Sequence, residues 1–455
     1  MTSENRPITI IGAGIVGIAT AYYLARNHNR TNITLVDQFQ PMSFTSAQSG
    51  NNFRNWWPHP AMVCLTNHSI DLMERISRDT DNRIGMTRRG YAIATREKNI
   101  DTLVSQLRSG LGDESHTLVR YHDQAEAPRY LGSSGPDCSP DVNGVDILCN
   151  YGLIRKHFPH YDPEVQTVVH IRRGGDINSQ QLATYMLEYL KSVGAKWLMG
   201  QVREINPGNN YQIEIDTGSS SMELFADQIV NAAGPFAGEI AKWVGVELPI
   251  INVFQQKIAF EDHLKAVPRN QPFSIDLDRQ QIDWSDSERS ALRDDPQFAK
   301  FAGDMPGGIH CRPEGGDGGK WIKLGWAYNE EAALNIDDQP LDAHFPEIVL
   351  RGAARLTPGL RSYYGRLPQK CHHYGGWYSM TEENWPLIGR MGPEGAFMNC
   401  ATSGFGTMTA CASGELCAAT ICEARLPSYA EAFSLARYED WSQIDELRAS
   451  NKGIL

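Results

Sequence analysis

The sequence predicts a mixed α/β (α+β) fold, in which a Rossmann-like dinucleotide-binding domain is joined to a second domain, and two observations carry that expectation. The first is a strand, turn, helix, strand pattern over residues 8–37 that encloses Gly12-Ala13-Gly14-Ile15-Val16-Gly17, a G-x-G-x-x-G signature in its proper context. The second is size: 455 residues, 41% of them apolar, exceed what one core uses, so two domains or one domain with a large insertion are expected.

Ile8-Thr9-Ile10-Ile11 reads as a short buried strand. Gly12 permits the tight turn after it, Gly14 lets a pyrophosphate approach the backbone, and Gly17 lets the helix pack on the strand. Apolar residues at Ile15, Ile18, Ala19 and Tyr22 have the one-face spacing of that helix, whose N-terminus favours phosphate charge. A second strand, Ile33 to Val36, ends at Asp37, twenty residues past Gly17, where an acid accepts hydrogen bonds from ribose hydroxyls; Gln38 follows it. The motif by itself does not separate NAD from FAD. Further on, Gly175 to Ser179 caps a helix carrying Leu182, Tyr185, Met186 and Tyr189 on one face, and strands are expected at 196–199, 201–206, 211–216 and 228–232. Ile309 to Arg312 and Trp321 to Trp326 read as the arms of a hairpin. Ala396 to Thr402 reads as a strand, Ser403 to Gly406 as a turn, and Thr409 to Glu423 as a helix rich in small residues that could pack closely.

Composition excludes other classes. The 54 acidic residues outnumber the 42 basic ones without forming a block, and no basic cluster with interleaved aromatics argues for nucleic acid. No apolar run approaches the ~18 residues of a membrane helix, and the strand at Ile8 leaves no room before it for a signal peptide, so a cytoplasmic location is expected. Nine scattered cysteines without a C-x-x-C pair read as reduced thiols. No metal site is expected, since His372-His373 are adjacent and no H-E-x-x-H occurs.

Three further segments, Thr45-Ser46-Ala47-Gln48-Ser49-Gly50-Asn51-Asn52-Phe53-Arg54, Ile229 to Ala237 and Ser379 to Gly389, together with Ser403-Gly404-Phe405-Gly406, resemble the FAD-dependent D-amino acid oxidase-like superfamily. The resemblance is to its sarcosine oxidase, glycine oxidase and dimethylglycine dehydrogenase branch. It implies FAD as cofactor and a discontinuous architecture, with residues 1–88, 165–240 and 368–455 forming the FAD-binding domain and 89–164 and 241–367 an antiparallel-sheet substrate domain. It places Ser46, Ser49, Gly50, Asn51, Ala233 and Gly234 at the flavin, and Val202 at the adenine through its backbone. Gly404, Phe405, Gly406, Thr407 and Met408 open a helix whose N-terminus would stabilise the anion formed on flavin reduction; the alternative is a glycine turn made for packing alone. The reaction implied is oxidation of a C–N bond by hydride transfer to flavin N5, giving an imine that water hydrolyses, with oxygen or an electron carrier as final acceptor.

Such chemistry needs a cation for a substrate carboxylate and an apolar or aromatic cage. Arg54, followed by Asn55, Trp56 and Trp57, is the expected carboxylate clamp, the alternative being an arginine packed over tryptophans at the surface. Lys257 would hold charge near N5 and favour reaction with oxygen, unless it is a solvated edge-strand lysine. His310 and Arg312 share one strand face and either bind substrate or are satisfied by nearby carboxylates. Tyr378 lies beside the flavin or fills the core. Arg54, Lys257 and Tyr378 are thus the catalytic candidates, and Arg54, Trp56, His310, Arg312 and Tyr378 the substrate-binding ones. Two departures from sarcosine oxidases matter. Gly319-Lys320-Trp321-Ile322-Lys323-Leu324-Gly325 lacks their flavin-bonding cysteine, which implies noncovalent FAD, and Met408 follows Thr407 where they carry a carboxylate-binding lysine. Residues 276–305 form an acidic excursion, a lid over the site or a solvated surface feature. A flavin monooxygenase or reductase fed by NAD(P)H, and a non-catalytic FAD-binding subunit of a multicomponent dehydrogenase, remain as other readings. The oligomeric state is unspecified by the sequence.

Overall fold

A computed structural model describes residues 5–124, 130–133, 142–333 and 335–449; Cys138 lies outside them. Strand β1 (Ile8–Ile11) is buried along its whole length, as an apolar run in a parallel sheet covered on both faces must be. It leads into helix α1 (Ile15–His28) and then strand β2 (Ile33–Asp37). β1 pairs in parallel with β2 on one side and with Gln228–Asn231 on the other. The six-stranded sheet runs Leu387–Arg390, Ala396–Cys400, Gln228–Asn231, β1, β2, Lys196–Met199, with only the first pair antiparallel.

One face of this sheet is covered by α1 and by helices Pro60–Asp79 and Gly406–Ile421, the last starting three residues before its expected position. Its small residues have the anticipated use: a Cβ on Gly414 would stand 2.7 Å from Ala19, so α1 and this helix touch almost backbone to backbone. The other face is covered by an antiparallel meander, Gln201–Pro207, Tyr211–Asp216 and Ser221–Ala226.

The second layer is a nine-stranded, largely antiparallel sheet in the order His372–Met380, Ile251–Glu261, Trp321–Gly325, Ile309–Glu314, Phe273–Asp276, Tyr91–Thr95, Thr167–Ile171, Val145–Leu148, Val119–His122. Because side chains alternate along a strand, Lys257, His310, Arg312 and Lys323 share one face, while Ile258, Phe260, Ile309, Cys311, Ile322 and Leu324 share the other and pack on helix Phe345–Leu356. Trp284, Phe298 and Phe301 of the 276–305 excursion join this second group. The excursion therefore covers the side of the sheet away from Lys257 and is not a lid, because its own aromatic residues anchor it there; a capping box, Ser285 with Glu288, starts its exposed helix.

By sheet membership, Thr167–Ile171 and His372–Met380 go with the large sheet, although both lie in ranges assigned by sequence to the FAD-binding domain. The reason is that the chain changes layer within a few residues: Thr167–Ile171 is in the large sheet, whereas Gly174–Asp176 pairs with Asn52–Arg54 in a separate two-stranded ribbon.

The turn after His372–Met380 is fixed from the C-terminal segment. Arg437 and Glu383, each with a side chain only 1% exposed, form a buried ion pair, with Arg437 Nε 2.9 Å from Glu383 Oε1 and Nη1 donating to the Pro386 carbonyl at 2.7 Å. Arg437→Met leaves that carboxylate in the core without its guanidinium, at an expected cost of about 3–5 kcal/mol. The predicted outcome is a fall of several degrees in the thermal unfolding midpoint; an unchanged midpoint would mean that the pair does not secure this turn.

Candidate functional site

At the carboxyl end of β1 the chain turns through Gly12, with φ at 108°, where a Cβ would stand 2.2 Å from the Ala232 carbonyl oxygen. A Cβ on Gly17 would stand 2.0 Å from the Gly12 oxygen. Both positions are restricted to glycine by contact with backbone, which cannot move aside. Gly14 is the N-cap of α1 and supplies no side-chain cap, so the first-turn N–H groups stay available for an anion, apart from that of Ile15, which donates to Ser46 Oγ at 3.1 Å. The Asp37 carboxylate accepts from Ala13 N–H at 2.7 Å and Phe39 N–H at 2.9 Å. Burial pushes its pKa up, and these two donors oppose the shift.

From this turn a cleft of about 1400 Å³, partly open to solvent, runs to Lys257 and Tyr378. Of the residues singled out for the cofactor, Gly12, Gly14, Ile15, Val16, Asp37, Gln38, Ser46, Ser49, Gly50, Val202, Ala233, Gly234, Gly404, Gly406 and Thr407 line it. Ala13, Gly17, Asn51, Phe405 and Met408 do not. Ala13 and Met408 are packed in the core, and Phe405 meets Trp57 edge to face at 4.9 Å. Asn51, at φ 61°, shapes the loop by donating its N–H to Ser49 Oγ at 3.0 Å. Sequence reasoning missed Phe39, Phe44 and Phe236, which also line the cleft, with ring centroids 5.3 Å apart for Phe39–Phe44 and 5.9 Å for Phe44–Phe236. The available signal was an aromatic placed directly after each motif, two residues past Asp37 and two past Gly234.

The far end is cationic and aromatic. Lys257 is 5% exposed, and its strand is paired on both sides, which removes the edge-strand alternative. Its Nζ lies 3.5 Å from the Tyr378 hydroxyl and 5.3 Å from that ring's centroid. Tyr378 in turn abuts the Gly404 turn, where a Cβ would come within 2.5 Å of the ring, so this position too has no room for a side chain. His310 faces Lys257 across Gly325. Burial first, and then the Lys257 charge, push its pKa down to about 3, leaving a neutral imidazole. From His310 a chain of rings leads behind the cleft wall through Phe273 at 4.8 Å and Tyr91 at 4.4 Å to the Arg54 guanidinium, 5.5 Å from the Tyr91 ring.

Arg54 is 1% exposed, which removes the surface-packing alternative; its Nε donates to the Trp56 carbonyl at 3.1 Å, and burial lowers its pKa only to about 10, so it stays charged. Arg312 takes the alternative foreseen for it: Glu314 lies 2.7 Å and Asp176 3.6 Å from its guanidinium, which is therefore satisfied by carboxylates. Lys257 and Tyr378 thus line the cleft, and Arg54, Trp56, His310 and Arg312 are not among its lining residues. Among the described residues no group of His, Cys, Asp and Glu could hold a metal ion, and no helix is long and apolar enough to cross a membrane.

A long cleft with bare N–H groups and an acid at one end, and glycine-walled contact surfaces with a buried cation at the other, fits a dinucleotide that carries a redox ring. The family model for FAD dependent oxidoreductases (DAO) matches residues 7–420. Mitochondrial dimethylglycine dehydrogenase of Rattus norvegicus is 26% identical over 278 residues, which cover 60% of this chain and 29% of the rat protein, so the chain spans less than a third of that relative. Glycine oxidase of Pseudomonas aeruginosa is 22% identical over 269 residues, 58% of this chain and 64% of its own length. In fold, the chain is similar to L-proline dehydrogenase from P. horikoshii (TM-score 0.70, 17% identity, 96% of this chain and 98% of that one). It is equally similar to glycine oxidase from Geobacillus kaustophilus (TM-score 0.69, 17% identity, 95% and 99%). Matched by the family model over nearly its whole length, the chain belongs to the DAO family of FAD-dependent oxidoreductases.

Proposed function

We propose that this oxidoreductase removes a hydride from the carbon beside the nitrogen of an amino acid or secondary amine, giving an imine that water hydrolyses. The observation that carries the reading is Lys257: a buried ammonium on the cleft wall with no carboxylate of the described residues within 4 Å. A buried charge without a counter-ion is costly, and a substrate carboxylate would supply the missing partner. The chemistry that FAD supplies when bound is hydride acceptance at N5. The protein's part is placement. In this reading the Gly12–Gly14 turn and the α1 N-terminus hold the pyrophosphate, Asp37 the ribose and Val202 the adenine side, while Ser46, Ser49, Gly50, Ala233, Gly234, Gly404, Gly406 and Thr407 wall the ring and ribityl portions. Lys257 orients the carboxylate, Tyr378 closes the aromatic side, and neutral His310 adds no second positive charge beside the amine. The fixed charge of Lys257 also favours oxygen over a carrier protein as final acceptor. The eight described cysteines are free thiols, which supports a reducing, cytoplasmic setting.

The test is anaerobic addition of D- and L-amino acids, N-methyl amino acids and simple amines, followed by air, while the flavin absorbance is recorded. Bleaching by a carboxylate-bearing amine is expected, with recolouring in air, and Lys257→Met should raise the half-saturating concentration of that amine at least tenfold, as loss of a charge-assisted contact of about 1.5–3 kcal/mol implies. Bleaching by NAD(P)H alone, or by nothing, would contradict the proposal.

We further propose that FAD is held noncovalently. Cys400 is the one cysteine on the cleft wall among the described residues, and burial pushes its thiol up to about 12, so it is protonated and unreactive. Acid precipitation is expected to leave all the yellow colour in the supernatant as FAD; colour in the pellet would overturn the assignment.

A further inference from the structure

Buried Arg312 and Lys323 form with half-buried Glu314 an ionic cluster beside the cofactor cleft that amine oxidation as proposed above does not use. Arg312 is 2% and Lys323 8% exposed, on paired strands and on the same sheet face. The Glu314 carboxylate lies 2.7 Å from Arg312 Nη2 and 3.1 Å from Lys323 Nζ. Asp176 adds a second carboxylate, 3.6 Å from Arg312 Nη1, so two cations face two anions and no charge is left over for substrate. Arg312 Nη1 donates to the Pro313 carbonyl at 3.0 Å, and each cation also reaches one loop: Arg312 Nη2 donates to the Gly50 carbonyl at 2.8 Å, and Lys323 Nζ to the Ser49 carbonyl at 3.5 Å.

That loop is fastened on its other sides as well. Ser49 Oγ is 2.8 Å from Thr407 Oγ1 in the first turn of helix Gly406–Ile421, and Asn52 pairs with Asp176 in the short ribbon that follows. All described peptide bonds are trans, so the N–H and C=O of one peptide point in opposite directions. With the Ser49 carbonyl turned toward Lys323, the Gly50 N–H of the same peptide is turned away from the sheet. With the Gly50 carbonyl turned toward Arg312, the Asn51 N–H is turned to Ser49 Oγ, at 3.0 Å. The Gly50 N–H makes no hydrogen bond within the described residues, and Gly50 lines the cleft.

We propose that Arg312 and Lys323 are positioning residues for the cofactor: held by Glu314, they grip the Gly50 and Ser49 carbonyls and so present the Gly50 N–H to FAD. The two cations are on the substrate-domain sheet and the carbonyls on the loop after the dinucleotide motif, so the same contacts join the two layers at the cofactor.

The charge state of Lys323 makes the proposal measurable. Burial is the largest influence on it, followed by the Arg312 charge, and together they push its pKa down to about 8 against the opposing pull of Glu314. Lys257 lowers it further, while Arg312 itself stays charged and His310 stays neutral. Tyr374 and Tyr91, which also face the cluster, are held protonated by burial, and Asp176 and Glu314 are the carboxylates in reach. Below about pH 8 the ammonium grips Ser49; above it the lysine is neutral, its contact with Ser49 loses its charge assistance, and Arg312 is the one cation of the pair that still grips the loop.

The experiment is release of FAD from the holoenzyme after dilution, followed by FAD fluorescence from about pH 6.5 to about 9.5, a range that brackets this lysine and spares arginine. Because it reads the cofactor alone, failure of the amine-oxidation reading would leave it unaffected. Release from the unaltered protein should quicken about tenfold through pH ~8, the size expected for loss of one charge-assisted hydrogen bond. Lys323→Met should release FAD quickly at every pH, with its fold checked by circular dichroism. Lys323→Arg should release it slowly with no step, because a guanidinium does not titrate there. A Lys323→Met protein with unaltered rate and pH dependence, or a step that survives in Lys323→Arg, would overturn the proposal.

Discussion

α1 can lie against β1 and the segment after Gln228–Asn231 only because no side chain stands at Gly12 or Gly17, where a Cβ would come within 2.2 Å and 2.0 Å of backbone oxygen. Everything at the dinucleotide end follows from that contact. It sets the helix N-terminus at the carboxyl ends of the parallel strands, brings Ala232 to Gly234 alongside, and lets Asp37 at the end of β2 reach back to the Ala13 N–H. The same economy of side chains recurs where Gly414 meets α1 and where Gly404 meets Tyr378.

The other end depends on a different constraint, the two-residue alternation of the large sheet. It collects Lys257, His310, Arg312 and Lys323 on one face and consigns the apolar partners of helix Phe345–Leu356 to the other. Four basic side chains on one buried face would repel each other, and the protein resolves this unevenly. His310 is neutral, Arg312 and Lys323 share carboxylates, and Lys257 alone keeps a charge facing the cleft without one among the described residues. That asymmetry separates a site that can receive an anion from a cluster that holds a loop.

The sequence revealed the dinucleotide end because its determinants are local: strand, glycines, helix and acid fall within thirty residues, and their spacing is their geometry. The substrate end was only partly legible. Alternation put His310 and Arg312 on one face correctly, but the partners that define Arg312 are Glu314 on its own strand and Gly50, 262 residues away, and register between distant strands is not written in either segment. The buried position of Lys257 was hidden for the same reason, since its neighbours come from strands at 321–325 and 372–380. The excursion at 276–305 drew attention by its acids, whereas its placement is set by Trp284, Phe298 and Phe301, which pack on the far side of the sheet. The layer change between Ile171 and Gly174 is marked in the sequence only by the Gly174-Gly175 pair, which reads equally as the approach to the next helix, so composition did not locate the domain boundary.

The most direct test of the account is a crystal structure of the FAD-loaded enzyme, because the central claim is spatial: the two ends of one cleft have different jobs. The account predicts the adenosine beside Asp37 and Val202 and the isoalloxazine ring against the wall that the Gly404 turn and Tyr378 form together, with Lys257 beside it and the Gly50 N–H donating to the cofactor. An isoalloxazine ring at the Asp37 end, or one from which Lys257 is screened by a protein carboxylate, would contradict it.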